Sequence, residues 1–162
     1  MKIQQYLLVL LEVLFPYMLN ADVTEDIHFS HIGLEEGLSH STIFAINQDK
    51  GGNLWFATYD GVNKYDGYNF IVYRHQYTHP NSIASDISRC ITMDDSDRIW
   101  IGTREGLSLY NHYKDEFSNY YYKRNGLNVA VTSIIPIKKD WLMLGTAAVS
   151  YTHLTLPTNS RV

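Results

Sequence analysis

The chain has 162 residues, a formal charge of −4 and a single cysteine. Its Lys and Arg residues are scattered singly, so nucleic-acid binding finds no support, and a lone Cys90 rules out an intrachain disulfide. The 13 Tyr, 3 Trp and 6 Phe suit a β-rich protein, because aromatic side chains pack well on pleated sheet.

Residues 1–21 differ in kind from the rest. Lys2 precedes an apolar run from Tyr6 to Leu19, and Asn20-Ala21 ends it before the acidic stretch Asp22 to Asp26. This pattern reads as a secretory signal peptide cut after Ala21. Glu12 inside the run and the large Leu19 near the cut weaken this reading; its rival is an uncleaved anchor, for which the run is shorter than the about 20 residues that span a bilayer.

Residues 22–38 form an N-terminal segment in which Phe29-Ser30 and Gly37-Leu38 recur later as Phe117-Ser118 and Gly126-Leu127. The match predicts an outer strand near Phe29 that closes a blade contributed from elsewhere. On such a strand His28 and His31 face opposite sides.

The central part of the chain repeats itself. Ile46, Asp49, Trp55, Thr58, Gly61 and Tyr65 recur 45 positions later as Ile91, Asp94, Trp100, Thr103, Gly106 and Tyr110. A period of 40 to 50 residues with one Trp and fixed turn residues per unit is the mark of a propeller-type β architecture. Repeat 1, residues 39–86, predicts strands over 42–48, 54–58, 62–65 and 69–74. Repeat 2, residues 87–128, predicts strands over 88–93, 99–103, 107–110 and 116–121. The uniformly apolar strands that carry Trp55 and Trp100 read as strands covered on both faces by neighbouring blades. Asp49 and Asp94 open turns whose backbone they can cap, and Asp66-Gly67 is a hairpin signal. Cys90 aligns with Ala45 and reads as a small packing residue.

A third copy starts at residues 129–148, where Ile134, Leu144, Gly145 and Thr146 match Ile91, Ile101, Gly102 and Thr103 at an offset of 43. Val149 then stands where the first two units have Gly. Residues 149–162 resemble one reading frame of a transposon-end sequencing adapter and are set aside from fold reasoning. The expected fold class is therefore all-β, about two and a half four-stranded blades of a propeller plus an N-terminal closing strand. A propeller closes with roughly four to eight blades, so the chain reads as a fragment of a larger protein.

The run Gly37-Leu38-Ser39, Ile46, Asp49, Gly52 to Thr58 and Asp60 to Asp66 closely resembles the two-component regulator propeller repeat. The second unit resembles it too, with Asn111 where the family usually has Asp, and the third is degenerate, with Met143 in the Trp place and Trp141 two residues earlier. The resemblance covers residues 27–148. It implies the exported sensor region of a hybrid two-component system on the periplasmic face of the inner membrane. In such proteins paired propellers, a further β domain and a membrane helix precede a histidine kinase core, and many respond to glycan fragments. A homodimeric parent and an oligosaccharide ligand belong to that expectation.

Candidate contacts follow from position. Tyr59-Asp60 and Arg104-Glu105 occupy equivalent turns and differ in chemistry while the frame stays constant, and loops on a rigid scaffold are where binding resides. The connection over residues 77–82, with His79, is expected on the same rim. Asp49, Trp55, Gly61, Tyr65, Asp94, Trp100, Gly106 and Tyr110 read as structural repeat positions. No catalytic residue, metal site or cofactor is expected. A sialidase-like glycan hydrolase remains an alternative, although Asp and Trp are one position farther apart here than in that family's Asp box and no paired carboxylates appear. An interaction scaffold is the third reading.

Overall fold

In a computed structural model of the chain, residues 28–138, 141–147 and 150–155 are described. The predicted signal segment, residues 1–21, lies outside them. Two units divide the chain, Met1–His31 and Ile32–Val162, and among the described residues all the strands belong to the second.

Among the described residues three larger antiparallel sheets and one two-stranded sheet follow one another. β1 (Ile43–Gln48), β2 (Leu54–Thr58), β3 (Val62–Tyr65) and β4 (Phe70–Tyr73) pair in chain order as blade 1. β5 (Ser88–Met93), β6 (Ile99–Thr103), β7 (Gly106–Asn111) and β8 (Glu116–Tyr120) make blade 2 in the same way. β9 (Lys123–Arg124) and β10 (Leu127–Asn128) form a short hairpin, and β11 (Val131–Lys138), β12 (Trp141–Thr146) and β13 (Ser150–Thr155) make a third sheet. The backbone of β13 falls inside the adapter-like segment and pairs with β12.

The sequence repeat is also a register repeat. Ile46 faces Phe56, Ile91 faces Ile101 and Ile134 faces Leu144. Each blade shifts register at the equivalent place on its first strand, between Ile43 and Ala45, Ser88 and Cys90, and Val131 and Ser133. The skipped residues are Phe44, Arg89 and Thr132, and such a bulge bends the strand and re-aims a side chain.

One carboxylate ties each first hairpin to the blade core. Asp49 accepts the Asn53 backbone N–H at 2.9 Å and the Trp55 indole N–H at 2.8 Å. Asp94 does the same with Arg98 N–H at 3.0 Å and the Trp100 indole at 2.8 Å. Thus the Asp caps its turn, as expected, and also satisfies the one polar atom of a fully buried Trp. The left-handed position of this turn is Gly52 (φ 88°) in blade 1 and Asp97 (φ 62°) in blade 2, a conformation Asp tolerates better than most side chains.

Packing between blades supplies the core. Trp55, Ala57 and Val62 of blade 1 cluster with Ile91, Ile101, Tyr110 and Phe117 of blade 2. Trp100 and Leu107 cluster in turn with Val131, Ile134, Leu142 and Leu144. Every residue of β6 is buried, as its apolar run predicts. Ile91, packed in that first cluster against blade 1, is 7% exposed, and its counterpart Ile46 is 57% exposed. Cys90 faces Gly102 across the strand pair where blade 1 sets Ala45 against Ala57. A methyl at Gly102 would collide with Cys90 Sγ, so the thiol fills the space the glycine leaves.

Residues 28–33 carry no regular structure, and the blade that a strand near Phe29 is expected to close is not among the described sheets. One expectation about this segment is corrected. Its supposed echo at Gly126-Leu127 is a different structure. Asn125 (φ 53°) and Gly126 (φ 79°) turn the β9–β10 hairpin, which leaves Leu127 exposed while Leu38 is buried.

Candidate functional site

The end of each blade that carries the second hairpin turn is built by the same device. Thr58 Oγ1 donates to Gly61 O at 2.9 Å and accepts from Asp60 N–H at 3.1 Å. Thr103 Oγ1 donates to Gly106 O at 3.0 Å and accepts from Glu105 N–H at 3.2 Å. Gly61 (φ 89°) and Gly106 (φ 149°) close these turns, and a Cβ at either would strike the carbonyl of Tyr73 or Tyr120 on the outer strand. A rigid frame therefore presents two variable residues per blade, Tyr59-Asp60 and Arg104-Glu105.

Their surroundings differ. Tyr59, 48% exposed, has its ring 5.6 Å from Phe44 and 5.8 Å from His40. The Arg89 guanidinium of blade 2 lies 5.5 Å from the Phe44 ring centroid, a cation–π distance that links the two blades. Asp60 is held by a two-pronged ion pair with Arg74, at 3.0 and 2.9 Å. That pair holds the Asp60 carboxyl below and the Arg74 guanidinium above their ordinary ranges. Glu105 Oε2 accepts Asn128 Nδ2–H at 3.0 Å. The Arg104 side chain is exposed, and among the described residues neither Arg89 nor Arg104 has a carboxylate within ion-pair distance.

His79 is not on this rim. The connector between blades turns away from it and runs along β8, with Phe117 N–H donating to Asn81 O at 2.8 Å and Asn119 Nδ2–H to Ser82 O at 2.7 Å. Glu116, which accepts from Asn81 Nδ2–H at 3.0 Å, pairs with Asn111 at the opposite end of blade 2 from the Thr103–Gly106 turn. His79 there lines a 210 Å³ cavity with Tyr73, Arg74, Asp115 and Glu116. Asp115 accepts the Tyr73 hydroxyl at 2.6 Å and the Tyr110 hydroxyl at 2.7 Å. The Tyr73 bond holds its carboxyl low, whereas burial raises Tyr73 and pushes Tyr110 up to about 12.

Sequence reasoning missed Phe44, Arg89 and His40. The signal was present at the repeat offset, because Phe44 and Arg89 occupy one strand position with unlike chemistry, as Tyr59 and Arg104 do in the turn. The bulge that turns them outward was not legible. The remaining candidates, Trp55 and Trp100, lie in the core as expected, and Tyr65 and Tyr110 both spend their hydroxyls within the fold, on Gly67 O at 2.8 Å and on Asp115.

The family model for the two component regulator propeller matches residues 37–60 and 82–105, the first half of each blade. Both matched segments are similar to the two-component regulator propeller repeat. The match spans the Asp–Trp link of each repeat and ends one residue before the glycine of the Thr-capped turn. The extracellular domain of a hybrid two component system from B. thetaiotaomicron is similar to this propeller chain, at 32% identity and a TM-score of 0.64, over 78% of this chain and 20% of that one. A second such domain from the same organism shares the propeller fold at 15% identity and a TM-score of 0.59, over 78% of this chain and 18% of that one. Histidine kinase P4 of Formosa agariphila is 47% identical over 49 residues, 30% of this chain and 4% of the kinase. The propeller chain thus spans about a fifth of the solved domains it matches. Among the described residues no helix is long and apolar enough to cross a membrane.

Proposed function

We propose that this chain belongs to the exported sensor region of a hybrid two-component signalling protein, where the turn-bearing face receives an oligosaccharide and the binding signal passes to a histidine kinase in the same parent. The observation that carries the reading is a constant frame with changing contact residues: Thr58 to Gly61 and Thr103 to Gly106 are superimposable in their hydrogen bonds, while Tyr59 and Arg104 are not alike in chemistry. The apolar segment before Ala21 supports export to the periplasmic face of the inner membrane, and a dimeric parent would couple two propellers to one output.

Five carboxylates of the two blades are unsuited to the acid role in glycoside hydrolysis. Asp49, Asp60, Asp66, Asp94 and Asp115 are all held below the ordinary range. A glycosidase acid needs the opposite, a carboxyl kept protonated near neutral pH. The test is an in-frame deletion of the codons for residues 39–128 in the host gene, with transcripts measured after exposure to a panel of polysaccharides. Loss of the transcriptional response to at least one polysaccharide is expected. An unchanged response across the panel, or glycan cleavage by the purified protein, would contradict the reading.

A further inference from the structure

Charge and apolar surface are distributed unevenly on the turn-bearing face. The Phe44 and Tyr59 rings lie 5.6 Å apart, and Arg89 and Arg104 hold the equivalent bulge and turn positions of blade 2, where Arg104 N–H donates to Ile87 O at 2.9 Å. Blade 1 therefore offers two partly exposed rings where blade 2 offers two guanidinium groups, and the 5.5 Å approach of Arg89 to Phe44 joins the two halves. At the third unit the equivalent positions are Thr132 and Ala147, which add no charge. The acids at this end are occupied. Asp60 is bound twice by Arg74, Asp86 Oδ1 accepts His75 N–H at 2.6 Å, and Glu105 accepts from Asn128. The chain carries a net charge of −4, yet this face keeps cations without carboxylate partners among the described residues.

We propose that Phe44, Tyr59, Arg89 and Arg104 form a binding site for an acidic sugar, with a pyranose face against the two rings and a carboxylate or sulfate directed to the guanidinium groups. The proposal rests on the sensor reading and names its ligand class. Aromatic rings take up the C–H face of a sugar at little entropic cost, because each has only two torsions to fix. A guanidinium offers a planar fork that matches a carboxylate or sulfate in two parallel hydrogen bonds, which a neutral hydroxyl cannot repay. Arg89 is held in place by the Phe44 ring before the ligand arrives, so less ordering is required on binding.

The experiment titrates the full-length protein purified from its host with trigalacturonate, a sulfated galactotriose and unmodified galactotriose. At least one acidic probe is expected to bind about tenfold or more tightly than the unmodified trisaccharide. Arg89→Gln and Arg104→Gln are expected to erase that preference, and Arg89→Lys to restore part of it, with melting temperatures unchanged. Carboxylate and sulfate are told apart by which acidic probe binds. Equal binding of all three probes, binding by none, or a preference indifferent to both Gln variants would overturn the acidic-sugar site. The sensor reading has its own separate outcome, the transcriptional response of the deletion strain.

Discussion

Blade 1 and blade 2 share a frame and differ at its surface. The Asp–Trp link, the Thr-capped turn, the left-handed glycine and the bulge recur at equivalent positions, yet Phe44 and Tyr59 in one blade become Arg89 and Arg104 in the other. A repeat that stores its stability in buried, hydrogen-bonded positions leaves its exposed turn and bulge positions free to vary. Positions that vary in chemistry are thereby separated from those that hold the fold within a unit of some 45 residues.

The largest expected effect is loss of the shared frame. Trp55→Ala and Trp100→Ala should each cost about 3–5 kcal/mol, as for other buried aromatic truncations, measured by urea denaturation of the full-length protein. Removing the carboxylate instead leaves an indole N–H buried without its acceptor, at about 1–3 kcal/mol. Here the blades should part: Asp94→Ala is expected to exceed Asp49→Ala, because Asp94 also pairs with Arg98 at 2.5 Å and is nearly buried.

Gly61→Ala and Gly106→Ala come next. Positive φ alone costs about 1–3 kcal/mol for a residue with a side chain, and the collision with the Tyr73 or Tyr120 carbonyl adds to it. Circular dichroism melts of the two variants should fall together, since the two turns are built alike.

Acid offers a third test. Burial raises the Asp49 and Asp94 carboxyls, but bonds from the indoles, from Asn53 and from Arg98 outweigh it and leave both lowered. A carboxylate with a depressed folded pKa contributes stability above its unfolded value, about 3.9, and that contribution is lost as pH falls through the folded value. Stability should therefore drop below about pH 4, and Asp49→Asn with Asp94→Asn should flatten the drop. The smallest effect concerns Cys90. Burial pushes its thiol up to about 11, so iodoacetamide at pH 8 should leave it unlabelled until the protein unfolds.

Strand positions were legible because each strand carries its own alternation and each turn its own Asp, Gly or Thr. Residues 54–58, 62–65, 88–93 and 99–103 were expected as strands and are strands. The Asp–Trp bond was half legible, as a spacing of six that recurs without saying what it joins. What local pattern could not show was set by distant partners. The path of the connector to His79 depends on Asn81 meeting Phe117, and the outward aim of Arg89 on a register shift against β6. Phe29 and Phe117 share a sequence context, and Phe117 pairs with Tyr110 of β7.

The separation of frame from face is tested most directly by exchanging the two turn residues, Tyr59→Arg with Arg104→Tyr, in the full-length protein and measuring its melting temperature. Exposed substitutions of this kind should change stability by no more than about 0.5 kcal/mol, so a melting temperature within a few degrees of the parent is predicted. A fall comparable to that of Trp55→Ala would show that the turn residues belong to the frame, and would contradict the account.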